Sequence, residues 1–315
     1  GDCEPFKDNS ADPNFTLGPL PQDKQPFFRQ LHDVAQLNQP AIQKFSEAYR
    51  KIADEYEGDR FLMGEVNGDE GNAMTVSKTF SEPGRLHATY NFDLLEWAGL
   101  TVSELKEAIA NAIEVFNGSG RLCFAFSNHD VPRSASRQLS PLGITLDKQD
   151  DLQLLLLQLE TSLIGSSCIY QGEELGLSDV TNIQFDKMKD PWGLNFYPEF
   201  LGRDTCRTPM VWEKNKPMGG FTSANESWLP ISELHMEKAG LDMANSEGSI
   251  YNKFSSFLKW RRKQPAMISS NKMSELFGGP SEIIFDRESE TQILRCKFDF
   301  ELVKATFEEV THGTS

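Results

Sequence analysis

A glutamate closes one apolar run of this chain, and a histidine–aspartate pair closes another. The first run is RFLMGEV (60–66), where Glu65 follows a stretch that reads as a buried strand. A carboxyl group half withdrawn from water has a raised pKa, which suits it to donate a proton near neutral pH. That signal is weak on its own, because most glutamates at strand ends are solvated bystanders. The second run, RLCFAFSNHD (121–130), ends with His129 beside Asp130. Asn and Asp favour turns, so a plain turn is the bland reading. In the chemical reading, Asp130 stabilises positive charge developing in a transition state and grips ligand hydroxyls, while His129 donates hydrogen bonds to the same ligand. No His/Cys cluster has zinc-like spacing and no calcium-loop pattern occurs, so no metal and no cofactor are expected on this portion.

Such groups need a scaffold that lines them up. Pro40 opens an expected helix to Tyr56, with Ile42, Phe45, Ala48, Tyr49 and Ile52 on one face. After RFLMGEV comes a second short run, ATYNF (88–92), and a helix from about Thr101 to Phe116, where Thr101 and Glu104 form a capping-box pattern. The run at 121–130 precedes a helix near 149–164. A fourth run, SSCIYQGEELG, opens a long irregular stretch to about Ser246. A last helix, roughly 247–263, ends in Arg261, Arg262 and Lys263, as suits the negative end of a helix dipole. Residues 1–39, rich in Asp, Asn, Pro and Gln, read as a long loop.

Strand and helix therefore alternate four times, with strands near 60–66, 88–92, 121–127 and 167–171 and polar groups at their C-terminal ends. A (β/α)8 barrel presents its catalytic groups in that way, but a closed barrel has twice as many units. From Met267 the segments SEIIFDRE and TQILRCKFDF alternate as strands do. The expected architecture is α/β: the C-terminal half of a (β/α)8 TIM barrel over 1–266, then a small β domain over 267–315, cut short or unusually small. Half a barrel leaves sheet edges open, so this polypeptide alone is expected to be poorly stable.

GEV and FSNHDVPR, in this order, resemble two signature regions of glycoside hydrolase family 13, the α-amylase family. YQGEELGL and FYPEFLGRDTCRTPMVW are similar to its oligosaccharide α-glucosidase and oligo-1,6-glucosidase branch. The likeness extends upstream to HDVAQLNQP (32–40) and downstream to GSIYNKFSSFLKWRRKQPAM, covering about residues 1–265. By position, the resemblance implies that Glu65 is the general acid/base and Asp130 the transition-state stabiliser. It implies that His129 binds hydroxyls of the sugar before the scissile bond, and that Arg203 helps hold the non-reducing end of that sugar, partly through an acidic partner upstream. Glu173, Glu174, Asp204 and Arg207 read as scaffolding, buried ion pairs that shape the long loop, and His32 is given no chemical role. Trp192, Phe196, Tyr197 and Phe221 offer a sugar platform or simple burial, and burial is the plainer reading. Asn67 lies beside Glu65 in the sequence and is a substrate contact only by adjacency.

The implied activity is that of an exo-acting retaining α-glucosidase cutting terminal α-glucosidic bonds of short oligosaccharides or disaccharides. Retaining hydrolysis needs two carboxyl groups about 5–5.5 Å apart. The family's nucleophile motif, G-F-R-x-D, does not occur here, so the chain is expected to be a fragment lacking the nucleophile region and inactive by itself. A calcium site belongs, if anywhere, to the missing N-terminal portion. A sucrose isomerase or transglycosylase would use the same residues. A non-catalytic glycosidase-like protein is a third reading, which the joint presence of Glu65, His129, Asp130 and Arg203 disfavours.

Composition is compatible with all three. The 315 residues are 38% hydrophobic and 25% charged, with a net charge of -16. That balance argues against nucleic acid and anionic membranes as partners. The five cysteines are odd in number and widely spaced, as in buried thiols of a reducing cytoplasm.

Overall fold

The computed structural model describes residues 40–66, 73–116 and 121–310. The loop expected over 1–39, with His32, and the neighbouring contact Asn67 lie outside the described residues. Two compact units make up the chain: residues 1–93 with 111–124, and residues 94–110 with 125–315.

In the first unit, helix α1 spans Pro40–Asp54. Phe45, Tyr49 and Ile52 share a face as their spacing predicts, yet each is exposed by about half its surface: 52%, 59% and 52%. Periodicity fixes which side chains share a face and leaves open what covers it. Strand β1 (Met63–Gly64) pairs in parallel with β2 (Ala88–Tyr90), and β2 with β3 (Leu122–Phe124). Met63 lies opposite Ala88, and Tyr90 opposite Cys123. Gly64 permits the close packing there, since a Cβ would stand 2.3 Å from Leu86 Cδ1. Because the three strands run the same way, Glu65, Asn91 and the chain beyond Phe124 all leave from one edge of the sheet. Between β1 and β2, helix α2 (Ala73–Phe80) buries Met74, Ser77 and Phe80. This helix is not among the elements expected from the sequence.

Helix α3 runs Val102–Phe116, and Thr101 and Glu104 close the expected capping box: Glu104 N donates to Thr101 Oγ1 at 3.3 Å, and Thr101 N to Glu104 Oε2 at 2.7 Å. In the second unit come the short helix α4 (Ser134–Arg137), helix α5 (Gln149–Ser162) and strand β4 (Ser166–Ser167), which ends before the expected 171. Helix α6 (Pro191–Phe196) is a single turn and a half, capped by the Asp190 side chain. Helix α7 (Ile250–Arg261) lays Phe254 and Phe257 against Leu157 of α5.

The chain ends in an antiparallel sheet with the strand order β5 (Lys272–Met273), β6 (Glu282–Glu288), β7 (Ile293–Asp299), β8 (Lys304–Glu309). Alternate residues of β6 and β7 are buried, the period-two pattern of a sheet with one wet face. One inward residue is Arg287, whose guanidinium donates to the carbonyls of Ser162 and Leu163 at 2.7 and 2.9 Å. Those carbonyls end α5 without a helical partner, so a buried cation there serves both groups. The architecture is the expected one: an α/β domain with a parallel sheet, part of a (β/α)8 barrel, followed by a small antiparallel β sheet. Among the described residues no helix is long and apolar enough to cross a membrane.

Candidate active site

Glu65 directly follows β1 and is exposed. The half-buried setting expected from the sequence is not what the structure shows. Side chains alternate along an extended chain, so burying Gly64 turns the next residue outward.

Asp130, His129, Arg203 and Arg207 come together in the second unit. Asp130 Oδ1 accepts from Arg203 Nη1 at 3.1 Å and from Arg207 Nη2 at 2.5 Å, and His129 Nε2 stands 3.6 Å from the same oxygen. Arg207 Nε also donates to the His129 carbonyl at 2.6 Å. All three cationic or polar contacts converge on Oδ1. Among the described residues, Oδ2 receives no hydrogen bond, and the Asp130 side chain keeps 33% of its surface open. One oxygen is thus anchored and the other is free to accept hydroxyls.

Arg207 read as scaffolding from the sequence; it contacts the site instead. Besides Asp130, Arg203 has a second acidic partner, Asp190, which the sequence does not single out for that role. Arg203 Nη2 and Nε donate to the two Asp190 oxygens at 2.8 and 3.1 Å, the two-pronged geometry that fixes a guanidinium plane. Burial pushes the Asp190 carboxyl up, but the hydrogen bonds from Arg203 outweigh it and hold the group below its usual range. Gly202 makes this approach possible: it has φ +69, and a Cβ there would stand 2.5 Å from Asp190 Oδ2. The Arg203 guanidinium lies over the Trp192 ring, its carbon 4.6 Å from the ring centre. Among the described residues Asp204 does not form the expected ion pair. Its Oδ2 accepts the backbone N–H groups of Lys189 and Asp190 at 2.6 and 2.9 Å, so it positions Asp190.

Among the described residues Glu173 makes no ion pair either. Its carboxylate is buried and accepts from Ser127 Oγ at 2.6 Å, Ser134 Oγ at 2.7 Å and Tyr170 N at 2.9 Å. Glu174 accepts from Gly172 N at 2.8 Å. Glutamates there were expected to answer cations; the short hydroxyls of Ser127 and Ser134 answer Glu173 instead.

A family model of the α-amylase catalytic domain matches residues 15–270. The chain belongs to the α-amylase family. It is 37% identical over 231 residues to the probable α-glucosidase of Rhizobium meliloti (strain 1021), covering 73% of this chain and 40% of that protein. The crystal structure of XgtA, an α-glucosyl transfer enzyme, superposes with a TM-score of 0.76 at 31% identity, covering 88% of this chain and 49% of that one. An isomaltulose synthase from Erwinia rhapontici NX5 superposes with a TM-score of 0.71, covering 92% and 55%; at 21% identity this likeness speaks for the fold alone. The α-amylase-family chain therefore spans about half the length of these relatives, or less. The family acts on glucosidic bonds, and this member is related both to α-glucosidases and to glucosyl-transferring enzymes.

In this α-amylase-family chain the aromatic residues divide. Phe196 is buried, Trp192 is partly covered beneath Arg203, and Tyr197 and Phe221 remain exposed. Arg133, buried on α4's approach, ties the site loops together. Its guanidinium lies 5.0 Å over the Tyr170 ring and donates to the carbonyls of Gln171 and Cys206. Burial pushes the Cys206 thiol up to about 12, consistent with an inert packed thiol. The Arg133 backbone N–H donates to both Asp179 oxygens, at 3.1 and 3.0 Å.

Burial pushes the Asp179 carboxyl up to about 6, against the pull of Arg133 and Arg137. The unfolded group titrates near ~3.9. Between those values the folded protein holds more protons than the unfolded one, so this contribution to stability is present below about pH 4 and is lost as pH rises through about 6. Asp179→Asn should remove that slope. Urea unfolding from pH 4 to 7 should show wild type losing up to about 3 kcal/mol relative to the variant. Parallel curves would contradict the assignment.

Proposed function

We propose that the complete protein is a retaining enzyme acting on terminal α-glucosidic bonds of short α-glucosides, an α-glucosidase in its hydrolytic mode. The reading rests chiefly on Asp130, with Oδ1 anchored by two arginines and Oδ2 open. Such a carboxylate suits a sugar whose anomeric carbon becomes cationic: it accepts hydroxyl hydrogen bonds and opposes the developing charge. Arg203, held flat by Asp190 and Trp192, and His129 supply donors to the same sugar. Glu65 is assigned the proton delivered to the leaving oxygen. After departure it takes a proton from the incoming nucleophile, since the donor of one half-reaction is the acceptor of the other. The attacking carboxylate is expected in the part of the relatives' length that this chain does not span.

A second reading, transfer of the glucosyl unit to a sugar acceptor, draws support from the likeness to XgtA. Both readings share the residues named and differ in what meets the glucosyl intermediate. The test is product analysis of the complete protein with maltose, isomaltose and sucrose. Free glucose released with retained anomeric configuration supports hydrolysis; new disaccharides or trisaccharides support transfer. Failure to turn over any of the three rejects both.

A further inference from the structure

The second unit holds a hollow that shares no residue with the Asp130 cluster. Its volume is about 500 Å³, within the ~300–1,000 Å³ of small-molecule sites. Trp228 lies on its wall with 50% of its surface exposed, so about half of the side chain is open to a ligand. Met218, also in the lining, adopts φ 50 and ψ 33, and Gly219 and Gly220 follow with φ 57 and 73. A methionine in the left-handed region is strained, and such strain persists only where the surroundings fix it. Here Gly219 O accepts from Trp212 N and Glu213 N at 2.8 and 3.0 Å, and Phe221 N donates to Met218 O at 2.9 Å. The wall is therefore held in one shape.

The charged groups around the hollow identify the ligand class. Lys187 and Lys189 face it together with Asp186, Glu226 and Glu233, and among the described residues none of these five side chains makes an ion pair. Two cations against three anions give no strong net field, so neither a phosphate nor a cationic ligand is favoured. A neutral polyol suits both signs: its hydroxyls donate to carboxylates and accept from ammonium groups. Sugar rings add an apolar face that stacks on an indole. We infer that this hollow is a second carbohydrate site, taking a glucosyl unit of an α-linked gluco-oligosaccharide by stacking on Trp228. The carbohydrate class follows from the hollow; the choice of glucose rests on the function proposed above.

The test uses the full-length protein carrying Asp130→Asn and Arg203→Ala, which disables the first site. Maltotriose and isomaltotriose are titrated by calorimetry and by tryptophan fluorescence. Saturable binding is expected, weakened about two- to tenfold by adding Trp228→Ala. Glu226→Gln, an exposed change of equal size, should weaken it as well, and carries the test if Trp228→Ala lowers the melting temperature. With an otherwise wild-type site, Trp228→Ala should leave turnover of a small aryl glucoside unchanged. Absence of saturable binding in the disabled protein, or binding indifferent to both Trp228→Ala and Glu226→Gln, overturns the second site. Binding of a non-gluco trisaccharide equal to that of maltotriose overturns the glucosyl assignment. Failure of the proposed activity would show separately, as no turnover of glucosides by the wild-type protein.

Discussion

Asp130→Asn in the complete enzyme should lower kcat/KM by about 10²–10³, whatever the leaving group. The expectation follows from how the carboxylate is held. Oδ1 already answers Arg203 and Arg207, so the amide variant must place its single oxygen there. Its NH2 then replaces Oδ2 and presents donors where the sugar needs an acceptor. The variant also lacks the negative charge that opposes an oxocarbenium-like centre. An aryl glucoside with an acidic phenol and a disaccharide such as maltose should suffer alike, since both pass through that centre. His129→Ala should act more mildly, because its side chain is 53% exposed and its carbonyl, the group held by Arg207, survives the change. A loss below about fivefold in the Asp130 variant, with the fold intact, would remove Asp130 from the proposed machinery.

Glu65→Gln should have a comparably large but selective effect. Loss of a positioned proton donor costs about 10²–10⁴ where the leaving oxygen needs a proton. Maltose and isomaltose belong to that group. An aryl glucoside whose phenol leaves readily as an anion needs little protonation, so its glycosylation step should be nearly spared. The comparison requires glycosylation to be limiting, which pre-steady-state measurements establish. Equal losses for both substrates would sink the acid/base role, and would do so without touching the Asp130 argument. The contrast between the two variants, uniform against selective, separates stabilisation of charge from delivery of a proton.

Much of this arrangement is legible in the sequence because short strings there combine period and chemistry. The apolar runs around Leu62, Thr89 and Phe124 announce strands, and their polar ends announce a rim. The string GRDTCRTPM announces Arg203. Its second arginine is legible as a cation and silent as a contact. Arg207 reaches Asp130 across 77 positions of sequence, a distance no local pattern encodes. Asp190 did carry a signal, since Asp190–Pro191 is the cap-then-proline start of a helix. The turn it opens is so short that the surrounding stretch reads as irregular. Helix α2 is hard to see for a related reason: AMTVSKTF is only eight residues long, and its Thr, Ser and Val residues are weak helix formers. Glu65's exposure is a matter of which way one side chain turns after the last strand residue, and the run RFLMGEV gives no sign of it.

The Glu173 carboxylate has a mechanical meaning as well as an electrostatic one. Ser127 stands just before the His129–Asp130 segment and Ser134 just after it, and both hydroxyls end on the same oxygen of Glu173. Ser134 N closes the circuit by donating to Ser127 Oγ at 2.8 Å. The intervening residues thus form a hoop clasped at its base. The clasp fixes both ends of the segment that carries His129 and Asp130, and the same carboxylate also holds Tyr170 N, so one buried group sets the loop's span and ties it to the neighbouring strand end.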